Sequence, residues 1–268
     1  MKDKVVIITG ASSGIGKALA FEFAGKGAKC VLGARSHEKL TEIAEEIKLK
    51  GGEVAFAQTD VSVESDCKNL VLTAMEQFGR IDILINNAGI SMRALFKDLD
   101  LKVIKRLMDV NFWGTVYCTK YALPHILKQK GSVVGVSSIG GIVGLPGRTG
   151  YSSSKFAMGG LLDCIRTEHL KDGLHVLVAY PGFTASNIRN TALAADGSQQ
   201  GETPRDEQKM MSAEKVAQYI YRAIQKRKST IVLTTEGKLV ALLNKFFPNW
   251  MSKQVYKSFA KEEDSPIK

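Results

Sequence analysis

Cysteine is scarce and scattered. Cys30, Cys67, Cys118 and Cys164 form no C-x-x-C pair, which excludes a zinc-ribbon spacing and a disulfide scaffold. Four small buried hydrophobes in a reducing compartment are expected instead. His37, His125, His169 and His175 lack metal-ligand spacing, so no metal site is expected. No run approaches the roughly 18 consecutive apolar residues of a membrane span. The apolar stretch behind Met1-Lys2-Asp3-Lys4 is too short for a signal-peptide core, and a cytoplasmic chain is expected. Acid is in deficit, with 37 Lys and Arg against 27 Asp and Glu in 268 residues. The bases do not cluster, however. The longest run is Lys226-Arg227-Lys228 with Arg222 nearby, and no aromatics interleave with it, so a nucleic-acid surface is not expected.

What is present is a rhythm. Short β-rich runs recur at Val5–Ile8, Val31-Leu32, Val54–Phe56, Ile81–Ile85, Val133–Val136, Val176–Val178 and Ile231–Leu233. Continuous apolar runs of this kind suit strands buried on both faces. Helical patterns lie between them, as in Leu40, Ile43, Ala44 and Ile47, spaced three and four apart. Strand and helix in alternation predict an α/β, doubly wound parallel sheet of about seven strands with helices on both faces. No repeat, low-complexity tract or Pro/Gly/Ser linker divides the chain. One domain, residues 1–235, is therefore expected, with a long loop at 183–211 over the substrate pocket and a separate tail at 236–268.

Three places carry chemistry. The first strand runs into Thr9-Gly10-Ala11-Ser12-Ser13-Gly14-Ile15-Gly16 and then a helix. In that context the helix N-terminus offers N–H groups to a pyrophosphate, and glycines let the turn close. The spacing is G-x-x-x-G-x-G rather than the common G-x-G-x-x-G, and an ordinary strand-to-helix turn is the alternative. Next, Tyr151 and Lys155 stand four apart, on one face of a helix. A phenol has a pKa near 10, and a neighbouring cation lowers it towards the range where an acid/base works. Finally, the second strand ends Ala34-Arg35-Ser36. It lacks the acidic residue that would bind an NAD ribose, and Arg35 suits a 2′-phosphate. NADP(H) is therefore the expected cofactor.

These motifs, with Asp60-Val61 after the third strand, Asn86-Asn87-Ala88-Gly89 after the fourth and Pro181-Gly182 after the sixth, resemble the short-chain dehydrogenase/reductase family over roughly residues 4 to 235. The resemblance implies a single Rossmann-type, three-layer α/β/α domain. It implies cofactor contacts from Gly10, Ser12, Ser13, Gly14, Ile15, Gly16, Asp60, Val61, Asn87, Ala88, Gly89, Pro181, Gly182 and Thr184. It also implies a catalytic tetrad. Tyr151 exchanges the proton, Lys155 tunes Tyr151 and holds the cofactor ribose, Ser138 hydrogen-bonds the substrate oxygen, and Asn111 keeps a relay water. Alternation along a strand lets only one of Ser137 and Ser138 reach the site, and the family spacing to the tyrosine selects Ser138.

The expected function is NADPH-dependent hydride transfer to a carbonyl or from a secondary alcohol. A non-catalytic NADP(H) sensor or scaffold is the alternative from another class, and an epimerase or dehydratase is a further one. Phe183, Met210 and Met211, with Leu145 and Met92, suggest an apolar substrate, whereas Arg189 and Arg205 would suit an acidic one. Apolar residues surround the helix that follows Tyr151 (Phe156, Met158, Leu161, Leu162, Ile165, Leu170), and the resemblance implies a homodimer or homotetramer built on it. In the tail, Met251, Val255 and Phe259 recur opposite Lys253, Lys257 and Lys261. That basic amphipathic helix is expected to pack on its own or a neighbouring subunit, with peripheral membrane contact as the weaker alternative.

Overall fold

The computed structural model describes residues 1–184, 188–201, 210–261 and 265–267. Seven parallel strands, β1 (Val5–Thr9), β2 (Lys29–Ala34), β3 (Val54–Gln58), β4 (Ile83–Asn86), β5 (Ser132–Val136), β6 (His175–Tyr180) and β7 (Thr230–Val232), form one sheet. Their order is β3-β2-β1-β4-β5-β6-β7. The chain starts in the middle, winds outward to β3, then returns to β4 on the other side of β1. The reversal between β1 and β4 opens a crevice at the C-terminal ends of the strands, where doubly wound sheets bind ligands.

Each apolar run serves two faces because side chains alternate along a strand. Val6 and Ile8 join one core, beneath α1 (Gly14–Ala24), α2 (His37–Leu49) and α7 (Ala213–Gln225). Val5 and Ile7 join the other, beneath α3 (Glu64–Phe78), α5 (Gly114–Lys128) and α6 (Thr149–Glu168). The stripe Leu40, Ile43, Ala44 and Ile47 is the buried face of α2. A short helix, α4 (Leu101–Leu107), continues into a π-helical turn, Met108–Trp113, before α5. Three of the four cysteines, Cys30, Cys67 and Cys118, are buried as expected, but Cys164 is exposed, because it lies on the outer side of α6. Two further helices follow, α8 (Thr235–Phe246) and α9 (Pro248–Ala260). Met251, Val255 and Phe259 of α9 are buried around Val143 in a cluster of their own. Among the described residues, no helix is long and apolar enough to cross a membrane.

The fourth strand begins at Ile83 rather than Ile81, though its backbone bonding already includes Asp82, whose N–H donates to Val5 O at 3.0 Å and whose C=O accepts from Ser132 N at 2.8 Å. Its buried carboxylate accepts from the Val5 N–H at 3.0 Å, from Lys4 Nζ at 2.9 Å and from both Arg80 Nε and Nη2 at 2.8 and 2.7 Å. Burial by itself would raise this carboxyl; the Arg80 guanidinium, the Val5 N–H and the Lys4 ammonium outweigh it and hold the group below its ordinary value. The cluster ties β1 to β4 at the end of the sheet away from the crevice. Asp82→Ala is expected to lower the unfolding free energy by about 1–3 kcal/mol. Activity should not change. A depressed carboxyl contributes stability above the ordinary carboxylate range and loses it as pH falls through the native value, so the gap between wild type and variant should close in acid. Urea midpoints against pH check this; equal midpoints at neutral pH would deny the cluster any role.

Candidate active site

The strand ends bring the expected motifs together around one cleft of about 460 Å³. At the end of β1, Thr9 fastens the floor. Its Oγ1 accepts from the N–H groups of Asn87 and Ala88, both at 3.0 Å, and donates to Ile85 O at 3.4 Å. The Asn87 amide donates to Thr9 O at 2.9 Å and Gly10 O at 3.3 Å. Asn87 lines the cleft, but its side chain holds the glycine turn in place. Gly10 and Gly14 have positive φ, at 65° and 52°. Gly16 lies under the turn rather than in the cleft, and a Cβ there would stand 2.1 Å from Gly10 O. The third glycine is thus dictated by close packing. The first turn of α1 faces the cleft through Gly14 and Ile15, and the N-cap Ser13 makes no side-chain cap bond to it. The helix N-terminus therefore presents backbone donors to the cleft, a cradle for a pyrophosphate.

At the end of β2, Arg35 is exposed on the cleft rim beside Ser36 and Lys39. Ser36 caps α2, accepting from Lys39 N at 3.4 Å. Sequence reasoning singled out Arg35 but missed Ser36 and Lys39; the signal was a Ser-x-x-Lys step at a helix start. Asp60 and Val61 line the same end of the cleft. The Asp60 carboxylate accepts from Ser62 N at 3.0 Å and Ser62 Oγ at 2.6 Å, which holds its loop. Gly182 lies against Thr234, whose Oγ1 would be 2.8 Å from an added Cβ. Thr184 is buried and donates to Gly182 O at 3.3 Å.

The reacting end is built from β5 and α6. Both serines after β5 line the cleft, but their hydroxyls take different partners. Ser137 Oγ donates to Lys155 O at 3.3 Å. Ser138 Oγ accepts from Gly140 N at 3.1 Å, and its hydroxyl acts to lower the Tyr151 phenol. One turn along α6, Lys155 is buried and donates to Val136 O at 3.0 Å. Its Nζ lies 5.9 Å from the Tyr151 ring centroid. Burial lowers its ammonium to about 8. Burial also raises the Tyr151 phenol; the Ser138 hydroxyl and the charges of Arg148 and Arg189 pull it back. These two arginines are the cations that bear on the phenol here. Arg148 Nη1 donates to Ser91 Oγ at 2.9 Å and Met92 O at 3.0 Å, and the buried Arg189 Nη1 donates to Thr184 O at 3.0 Å. Sequence reasoning gave Arg148 no role. Arg205, its other arginine at this end, lies outside the described residues.

Asn111 is fully buried in the π-helical turn and does not line the cleft. Its Oδ1 accepts from Ile90 N at 2.8 Å, and its Nδ2 donates to Ile90 O at 3.0 Å and Ser154 Oγ at 2.9 Å. Ser154 in turn donates to Tyr151 O at 2.8 Å. The amide is thus spent on joining the loop after β4 to α6. Leu145 and Phe183 line the cleft. Met92 does not; it is fully buried against Leu193 in a separate cluster, and Met211 packs on the main core.

The sequence model of a family described as short chain dehydrogenase matches residues 4–197. The chain is 41% identical over 187 residues to 11-beta-hydroxysteroid dehydrogenase-like 2 of Arabidopsis thaliana, a match that covers 69% of this chain and 60% of the relative. Among solved structures, it superposes on a short chain dehydrogenase/reductase from Burkholderia phymatum in complex with NAD, with a TM-score of 0.83, 23% identity and coverage of 93% and 95% of the two chains. It also superposes on an alcohol dehydrogenase from the archaeon Thermococcus sibiricus complexed with 5-hydroxy-NADP, with a TM-score of 0.75, 25% identity and coverage of 86% and 95%.

Proposed function

The chain belongs to the short chain dehydrogenase family, and we propose that it is an NADP(H)-dependent oxidoreductase interconverting a carbonyl and a secondary alcohol. The observation that carries this reading is the convergence of Ser138, Tyr151 and Lys155 at one end of a cleft whose other end is a glycine turn and a helix N-terminus. The residues fit a dinucleotide. Gly10 and Gly14 shape a cradle in which α1 would face the pyrophosphate, Asp60 and Val61 would border the adenine and Thr184 would hold the nicotinamide. When bound, the nicotinamide supplies or takes up a hydride.

The protein's own groups do the rest. Tyr151 gives its phenolic proton to the substrate oxygen in reduction and takes it back in oxidation. Ser138 donates to that oxygen as charge develops. The guanidiniums of Arg148 and Arg189, rather than the Lys155 ammonium, act against the burial that raises the phenol, while Lys155 would hold the cofactor ribose. Asn111 acts on the site through Ile90 and Ser154, keeping the floor and α6 in register. Leu145, Phe183, Ile188 and Leu193 give the substrate end an apolar wall, which suits a hydrophobic carbonyl compound. Exposed Trp113 and Phe156, at the start of α5 and on α6, support a homodimer or homotetramer formed through those helices.

The preference for NADP(H) rests on three residues at the end of β2. Ala34 stands where an acid would bind a bare ribose, and Arg35 and Lys39 surround the space a 2′-phosphate would take. A charge-assisted hydrogen bond contributes about 1.5–3 kcal/mol, and about 1.4 kcal/mol is tenfold. Arg35→Ala is therefore expected to raise the KM for NADPH roughly 10- to 100-fold and to leave that for NADH within about threefold. Initial rates with both nucleotides, across carbonyl compounds graded from small polar to long-chain apolar, test the reading. Equal losses with the two would remove the assignment of NADP(H). No turnover with any compound, despite tight NADPH binding, would favour a nucleotide sensor.

A further inference from the structure

The helix α9 spends its apolar stripe internally, on Val143. The helix before it does the opposite. Along α8, Leu239, Leu242 and Phe246 fall three and four apart on one face, and that face is exposed. Phe247 and Trp250 extend it into the turn and the first coil of α9. The five side chains are 49% to 62% exposed. Single exposed leucines need no explanation, but a helical stripe of this kind ending in Phe-Phe-Pro-x-Trp marks an interaction surface.

Charge identifies the occupant. Residues 235–261 carry five lysines against the single acid Glu236. Lys238 and Lys245 each lie one helical turn from Leu242, and Lys253 lies one turn from Trp250. Lys245 Nζ is 5.8 Å from the Phe246 ring centroid, so cation and apolar face are adjacent. The acids Glu262, Glu263 and Asp264 follow only beyond the end of α9. A second copy of the chain on this face would place Lys238 and Lys245 against the same cations across a two-fold axis, which repels. An anionic partner meets no such cost. An apolar helical face with Trp and Phe at its end and lysines on its flanks is the pattern of an interfacial helix on anionic lipid.

We propose that the outer face of the α8–α9 hairpin docks on an anionic lipid bilayer, with Leu239, Leu242, Phe246, Phe247 and Trp250 at the acyl boundary and Lys238, Lys245 and Lys253 at the headgroups. The inner side of the hairpin rests on the wall of the active site. Asn244 donates to Ile142 O at 3.0 Å, and Leu145, which lines the cleft, packs in the same cluster as Met251 and Val255. A docked chain would hold its cleft one helix layer from the membrane, within reach of an apolar compound dissolved there. The proposal does not depend on the catalytic reading.

Flotation of the full chain with phosphatidylcholine vesicles, with and without phosphatidylserine, tests it. A lysine near an anionic surface contributes about 1 kcal/mol, so three lysines predict binding at least tenfold stronger with phosphatidylserine than without. Leu242→Asp/Phe246→Asp should lower binding at least tenfold, and Lys238→Glu/Lys245→Glu should abolish the lipid-charge dependence. The altered side chains are solvent-exposed, so circular dichroism and NADPH binding should match wild type. In a Trp113→Phe background, Trp250 emission should shift to the blue on adding phosphatidylserine vesicles. Wild-type protein that stays with the unbound fraction, or an unchanged Leu242→Asp/Phe246→Asp variant, would overturn the proposal. So would wild-type protein that does not float while that same variant forms a smaller oligomer, which would give the face to self-association.

Discussion

Tyr151→Phe is expected to lower kcat by about 10²- to 10⁴-fold, the span that a positioned acid/base group contributes, while NADPH binding stays within about threefold of wild type. The substitution removes one oxygen and keeps the ring. That ring is packed in place: a Cβ on Gly140 would sit 3.2 Å from Tyr151 Cε1. The helix bearing it is held by Ser154 and Asn111, neither of which touches the phenol. The loss should therefore fall on proton transfer rather than on the fold. Stopped assays of NADPH oxidation with the best compound of the graded series, paired with fluorescence titration of NADPH, separate the two. A variant that keeps more than a tenth of wild-type turnover would show that the proton comes from elsewhere. The pH profile adds a second reading. The phenol is raised by burial and lowered by Ser138, Arg148 and Arg189, so Arg148→Gln or Arg189→Gln should move the Tyr151-dependent limb of kcat/KM to higher pH. A Tyr151→Phe background should lack that limb altogether.

The sheet was legible because its chemistry is local. Seven apolar runs became seven strands, and Val5–Ile8 is apolar throughout because Val6 and Ile8 serve one core while Val5 and Ile7 serve the other. The start of β4 shows the limit. The strand begins at Ile83 rather than Ile81, and the carboxylate of Asp82 between them is fixed by Val5 and Lys4, 77 and 78 residues away, partners that no window of sequence reveals. The site divides the same way. Gly10, Gly14, Tyr151 and Lys155 are readable because their spacing carries their geometry. Thr9, Ser154 and Arg148 were not, since each matters through a partner far away in sequence: Thr9 through the N–H groups of Asn87 and Ala88, Ser154 through the Asn111 amide, and Arg148 through Ser91 and Met92. Asn87 and Gly16 are expected as cofactor contacts; Asn87 lines the cleft while its amide holds the turn, and Gly16 lies under the turn and outside the cleft. In the tail, periodicity found the helix α9 and its stripe of Met251, Val255 and Phe259. What periodicity could not reveal was that Val143 covers that stripe, leaving the neighbouring face of α8 as the open one.

Lys155→Met should make the protein more stable and less active at once. In the folded chain without nucleotide, Lys155 is 3% exposed, and burial brings its ammonium down to about 8, against about 10.4 in an unfolded chain. That gap corresponds to about 3 kcal/mol against the folded state wherever both forms are charged, that is, below pH 8. Methionine keeps the unbranched stem and has no charge to desolvate, while Val136 O loses a donor at a cost of about 1 kcal/mol. The net expectation at pH 7 is a gain of about 1–2 kcal/mol, read from urea midpoints without added nucleotide. The sign with pH follows. Between pH 8 and 10.4 the unfolded chain binds the proton and the folded chain does not, so wild-type stability rises with pH through this window. The variant lacks that rise, and its advantage should vanish near pH 10. Turnover should fall by at least tenfold at every pH, since the group proposed to hold the cofactor ribose is gone. A variant destabilised at pH 7 would mean that the hydrogen bond to Val136 outweighs the buried charge. A variant with near-normal turnover would deny Lys155 that role. The combination expected here, stability gained and turnover lost, is the mark of a charge kept in a dry cleft for its chemistry at the expense of the fold.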